Sequence, residues 1–142
     1  MYHATDQLFF NFEIEPVPQL RPRTSTLGGY VRVYDPPKVK NFKRILRSLA
    51  GDQYARPPLL GPLSVSLTFY RPVQSSISKA ERERRLSNES KPVVKPDTDN
   101  YIKATLDALN GVLWHDDAQI VKIIGEKRYG ETGKITVSVK PV

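Results

Sequence analysis

Residues 96–119, PDTDNYIKATLDALNGVLWHDDAQ, hold five aspartates, Asp97, Asp99, Asp107, Asp116 and Asp117, and one base, Lys103. Carboxylates gathered this closely raise one another's pKa unless a cation neutralises them. A hard divalent cation bound through oxygen resolves the conflict, and Mg²⁺ takes a few carboxylates while keeping several waters. Such an ion activates water and stabilises charge on a phosphoryl group, which is the chemistry of phosphodiester cleavage. A neighbouring lysine acts on the phosphate as a point charge.

Each acid also has an ordinary explanation. Asp97 or Asp99 can cap a helix N-terminus. Lys103 can pair with Asp99 and Asp107 at i,i+4 spacing, and Asp107 is the acid most readily explained this way. Asp116 and Asp117 can form a turn. His115, beside Trp114, reads as a turn residue and not as a ligand. All five together, in a chain of net charge +7, favour the cation site.

The elements that position these residues follow from periodicity. DTDNYIKATLDALNG reads as a helix closed by Asn110 and Gly111, with Ile102, Leu106 and Leu109 as its core stripe. Asp99, Lys103 and Asp107 then form a polar stripe beside that core, with Asp97 just ahead of the helix. The short turn NGVLWH is expected to return Asp116 and Asp117 to the helix start, ahead of a strand in QIVKIIGEKRYG. KITVSVKPV is the following strand, joined through Gly130 to Gly133.

Upstream, LFFNFEIEP alternates as a strand with Leu8, Phe10, Phe12 and Ile14 on one face. Gly28-Gly29 signals a hairpin turn, in a basic stretch carrying Arg21, Arg23 and Arg32. PPKVKNFKRILRSLAG reads as a helix from Pro36-Pro37 to Gly51, with Val39, Phe42, Ile45, Leu46 and Leu49 on one face. Its opposite face carries Lys40, Lys43, Arg44 and Arg47 with no acid among them, a stripe suited to phosphate contact, with a plain solvated face as the alternative. LSVSLTFYR is a strand with one wet face, which favours an antiparallel setting. Residues 73–95 are polar, with a capping box from Ser78 to Glu81 that opens a short helix, and read as a mobile excursion from the core.

The element order gives an α+β fold: a single domain spanning 1–142, a mixed or mostly antiparallel sheet, and two main helices packed on it. Charge is divided along the chain. Residues 1–95 carry sixteen Lys/Arg against eight Asp/Glu, and residues 96–142 carry six against seven. A basic body around an acidic island suggests a polyanionic partner such as nucleic acid. The same bases argue against a hydrolase of small nucleotides. The absence of cysteine removes thiolate chemistry and fits a cytoplasmic protein. No apolar run is long enough to span a membrane, and the first residues do not read as a signal peptide.

KPDTDNYIKATLDALNGVLWHDDAQI resembles the signature of the RusA family of Holliday junction resolvases: D-x-D-N, then K-A, then D-A-L, then D-D-x-Q. PVPQLRPRTS, after the first strand, is similar to the proline- and arginine-rich segment common in the family. The resemblance implies a homodimer that binds four-way DNA junctions and makes paired, symmetric nicks with Mg²⁺, or with Mn²⁺ as a substitute. It implies Asp97, Asp99 and Asp117 as the catalytic metal-binding carboxylates, Lys103 as the catalytic lysine, and Asp116 as a further metal candidate. The 73–95 excursion is long for the family. A catalytically inactive junction-binding protein is the alternative, although no essential acid is missing.

Overall fold

A computed structural model describes residues 2–3 and 6–142. In chain order the strands are β1 (Tyr2–His3), β2 (Leu8–Phe12), β3 (Arg23–Ser25), β4 (Arg32–Tyr34), β5 (Leu59–Leu60), β6 (Leu63–Pro72), β7 (Ile120–Gly130) and β8 (Lys134–Pro141). Helix α1 (Pro37–Gln53) precedes β5, while α2 (Lys79–Leu86) and α3 (Thr98–Leu109) lie between β6 and β7. The main sheet has the order β2-β8-β6-β7. β8 is antiparallel to both neighbours, and β6 and β7 run parallel. The α+β expectation therefore holds, with a mixed sheet.

Alternation along the strands sets the layers. Phe10 and Phe12 of β2, Val65, Leu67 and Phe69 of β6, and Ile135, Val137 and Val139 of β8 are buried on one face. Phe42, Leu46 and Ala50 of α1 and Tyr101, Ala104 and Ala108 of α3 belong to the same core. Tyr101 stacks on Phe69 with ring centroids 5.2 Å apart. β3 and β4 form a separate antiparallel ribbon, closed by Gly28 and Gly29, both at positive φ, as the glycine pair predicts.

β7 and β8 are consecutive but do not pair, because β6 lies between them. Two readings need correction. α1 continues through Gly51 to Gln53: the Tyr54 N–H donates to Ala50 O at 2.9 Å, and the ring of Tyr54 is buried. Glycine inside a helix costs about 1 kcal/mol relative to alanine, a penalty that this anchoring outweighs. The buried face of α3 is Tyr101, Ala104, Thr105, Ala108 and Leu109, with Ile102 and Leu106 at its margin. Small alanines let the helix sit close, so the stripe is rotated from the one hydrophobicity alone suggests. The 73–95 segment holds the short helix expected after Ser78. Ser78 caps α2 by accepting from Glu81 N, and Arg85 lies 4.6 Å from the Tyr129 ring centroid on β7. Among the described residues no helix is long and apolar enough to cross a membrane.

Candidate active site

The first turn of α3 carries Asp97 and Asp99. Asp97 is the N-cap in extended conformation, yet its side chain makes no capping hydrogen bond. It accepts instead from Lys95 Nζ at 3.0 Å. Asp99 is exposed and makes no hydrogen bond or ion pair with the described residues. An acid here is favoured by the unpaired N–H groups and the dipole of the helix end. The proline- and arginine-rich strap at 16–22 crosses this turn, with the Gln19 N–H donating to Asn100 O at 2.9 Å.

One turn on, Lys103 donates to Asp107 Oδ1 at 3.0 Å. The other oxygen of Asp107 accepts from Lys43 of α1 at 3.1 Å, and Lys43 also donates to Asp35 at 2.8 Å. Lys43 is therefore a charged link between the two helices. The hydrogen bond from Lys43 holds the Asp35 carboxyl below its ordinary pKa, against an opposing effect of burial.

Beyond the helix, Trp114 is fully buried, and its Nε1–H donates to Asp117 Oδ1 at 2.6 Å. The Asp117 backbone N–H donates to Asn110 Oδ1 at 2.8 Å. Asp116 caps the 3-10 turn Asp117–Gln119, accepting from Ala118 N, while Gln119 reciprocates on the Asp116 N–H. The turn reading of Asp116 is thus correct, and the turn fixes where Asp117 stands. Burial pushes the Asp117 carboxyl above its ordinary pKa. The Trp114 N–H opposes that shift, and the charges of Asp107 and Asp116 add to it.

The acids therefore form two groups along α3, with Lys103 between them. Asp99 and Asp107 are eight residues apart, about 12 Å along a helix. Asp117 sits by Asn110 and Trp114, past the helix C-terminus, and not at the helix start as the turn suggested. Among the described residues no three acids converge to hold a metal. A closed carboxylate cage is absent, but the donor set fits a hydrated Mg²⁺. Asp99 is uncommitted, Asp117 Oδ2 accepts no hydrogen bond, and the raised pKa of Asp117 is a conflict that a cation would relieve. Mg²⁺ needs only one or two carboxylates when waters and phosphate complete its shell.

The cationic surface differs from an unpartnered stripe. Lys43 is in the ion-pair network just described. Arg47 donates to Asn110 O at 2.8 Å, with a longer contact to Ala108 O, and so covers carbonyls at the end of α3. Lys40 and Arg44 remain exposed, and Arg44 is bonded only to Asn41 of its own helix. Grooves between α1 and the ribbon join these two to Arg32 and Tyr34. Arg21 and Arg23 are exposed on the approach to that ribbon. Sequence reasoning missed Asp35, Gln19 and Tyr34 as neighbours of the site. Their only signal is position, ahead of a proline pair or inside the basic ribbon.

Residues 13–140 match the family described as Endodeoxyribonuclease RusA. A protein of Bacillus subtilis (strain 168), described as uncharacterized protein YqaN, is 34% identical over 139 residues, which are 96% of this chain and 98% of that protein.

Proposed function

The chain belongs to the RusA family of endodeoxyribonucleases, and on that premise we propose that it resolves four-way DNA junctions as a homodimer, by paired symmetric Mg²⁺-dependent nicks. The observation that carries the reading is the combination on and beside α3 of an uncommitted Asp99, an exposed Lys103 and a half-buried Asp117 whose ionisation is disfavoured. Asp97 and Asp99 supply carboxylate oxygens for Mg²⁺ at the start of α3 and Asp117 supplies them beyond its end, with Asp116 orienting Asp117 through its turn. When bound, Mg²⁺ supplies an activated water at neutral pH and offsets charge on the phosphate, with Mn²⁺ able to substitute. Lys103 steadies the scissile phosphate, and Asp107 holds Lys103 in reach of it.

Arg21, Arg23, Arg32, Lys40 and Arg44 meet the phosphates of the arms. Lys43 and Arg47 act mainly by locking α1 to α3, and so place the basic surface relative to the acids. A four-way junction is two-fold symmetric, and a C2 dimer presents two identical sites at fixed separation. The enzyme works on cytoplasmic DNA, consistent with a basic chain free of cysteine.

A second reading, a junction-binding protein without activity, is favoured by the lack of three converging acids among the described residues. A mobile synthetic junction, incubated with and without Mg²⁺ beside a linear duplex of the same sequence, separates the two. The proposed enzyme gives symmetric nicks on the junction only when metal is present. A junction bound but uncut in both Mg²⁺ and Mn²⁺ supports the second reading. Equal handling of junction and duplex overturns both.

A further inference from the structure

The chain enters α3 through residues 94–97, which have no regular structure, and cations of the sheet hold their carbonyls. Lys127 Nζ donates to Val94 O at 2.8 Å and to Pro96 O at 3.0 Å. Arg71 Nη1 donates to Lys95 O at 2.6 Å. Three successive carbonyls are thus taken by two charged donors, one from β6 and one from β7. Charged donors make the stronger hydrogen bonds. Lys127 has no carboxylate partner among the described residues: both of its hydrogen bonds go to this segment.

The same strand also seats the helix. Lys127 stands opposite the buried Phe69 in the β6–β7 ladder, so its stem lies on the helix-covered face. Gly125, two residues earlier on that face, lies where a Cβ would come within 2.6 Å of Ile102 Cδ1 and 3.4 Å of Thr98 Cγ2. The backbone of β7 therefore touches the first turns of α3, while Lys127 secures the segment feeding into them.

An Asp at an N-cap ordinarily accepts a hydrogen bond from an N–H of the first turn. Asp97 does not. Something else must define the start of the helix if that carboxylate is to face outward. A loop lysine that only satisfies carbonyls is the plain alternative. Yet Val93 and Val94 are exposed, so water could satisfy that stretch without it.

We propose that Lys127 is a positioning residue for the nuclease: by holding the Val94 and Pro96 carbonyls it sets Asp97 and Asp99 as cation ligands and frees Asp97 from capping. The inference rests on the reading of those two acids given above.

The test uses the full chain and the variants Lys127→Met, Lys127→Arg and Arg85→Ala. The last loosens α2 from Tyr129 on the same strand without touching the acids. Mn²⁺ affinity is measured by electron paramagnetic resonance without DNA, the Mg²⁺ midpoint by junction cleavage, and folding by thermal melts. Lys127→Met is expected to weaken Mn²⁺ binding and raise the Mg²⁺ midpoint by about 10–100-fold, the usual range for groups that orient metal ligands. Lys127→Arg should largely restore both. Metal-free junction binding should be unchanged, and Arg85→Ala should keep the wild-type midpoint.

A wild-type midpoint in Lys127→Met overturns the proposal, as does an equal shift in Arg85→Ala at matched stability. If Lys127→Met does not fold, Lys127→Gln takes its place, and a midpoint equal to that of wild type and Lys127→Arg overturns the proposal. A wild-type protein that neither binds Mn²⁺ nor cuts removes the functional reading and this inference with it. A wild type that cuts beside an unaffected Lys127 series removes the inference alone.

Discussion

Asp117 is the acid whose surroundings depart most from those of a surface carboxylate. Burial is the main cause of its raised pKa, with Asp107 and Asp116 adding to it. A carboxyl raised in the folded state contributes stability below its unfolded pKa and loses that contribution as pH rises through the folded value. Asp117→Asn cannot ionise but can still accept from Trp114. It should therefore melt above wild type at neutral pH without metal, and the gain should vanish as pH falls below the ordinary value of 3.8. Mg²⁺ should raise the melting temperature of wild type and not that of the variant, and junctions should be bound but uncut. Calorimetry across pH beside a cleavage assay checks all three, and a variant that melts at or below wild type at neutral pH counts against the strained carboxylate. Lys103 gives a cleaner separation of roles. Its side chain is 64% exposed, and Asp107 keeps Lys43 as a partner when Lys103 is removed. Lys103→Ala should lose only a few tenths of a kcal/mol, as for a helix-surface pair. If Lys103 touches the transition state, cleavage should fall about 10²–10³-fold, the range for removing one electrostatic stabiliser. Normal single-turnover rates would reduce Lys103 to a surface pair.

At the scale of elements, α1 and α3 are joined by charge as well as by apolar packing. Lys43→Met leaves Asp35 and Asp107 sharing a half-buried space without their common donor. The expected loss is about 1–3 kcal/mol, read by denaturant unfolding. The outward pair Lys40 and Arg44 should behave differently. Lys40→Ala combined with Arg44→Ala should leave stability nearly unchanged and lower the slope of log K against log salt by roughly 0.9 per lost phosphate contact. An unchanged slope across a salt titration would move the DNA surface to Arg21, Arg23 and Arg32. Helical periodicity made both faces of α1 legible, because it is a local property. It could not show that Lys43 has acidic partners, since these come from residues 35 and 107, in other parts of the chain. The polar stripe Asp99, Lys103 and Asp107 was legible for the same local reason. The buried stripe of α3 was misplaced because close packing favours Ala104 and Ala108 over the larger Ile102 and Leu106, a preference set by what the helix touches. Asp117 was recognisable as a candidate by type and spacing. Its place past the helix end depends on Trp114 entering the core, which residue order does not encode.

For the whole molecule, the proposed homodimer predicts a solution mass twice that of the chain, by light scattering with or without DNA. Mixed dimers of wild type and Asp99→Asn should nick a junction on one strand and leave the symmetric position intact, scored on a supercoiled cruciform plasmid. Paired cuts from mixed dimers would show that one site serves both strands. The four strands of the main sheet were within reach of the sequence, and a mixed sheet was one of the two classes it allowed, but the neighbour order was not. Nothing in the alternation of QIVKII or KITVSV says that β6 separates them. That order carries a consequence for synthesis. β8 follows every other described element in the chain, yet it is an interior strand, bonded to β2 on one side and β6 on the other. Long-range pairing of this kind cannot close until its last partner exists. A ribosome-bound chain short of residue 134 can pair β6 with β7 under α3 but cannot join β2 to them, and it carries open strand edges of the sort chaperones shield. A DNA-cutting protein arranged in this way completes its sheet only once translation has passed β8.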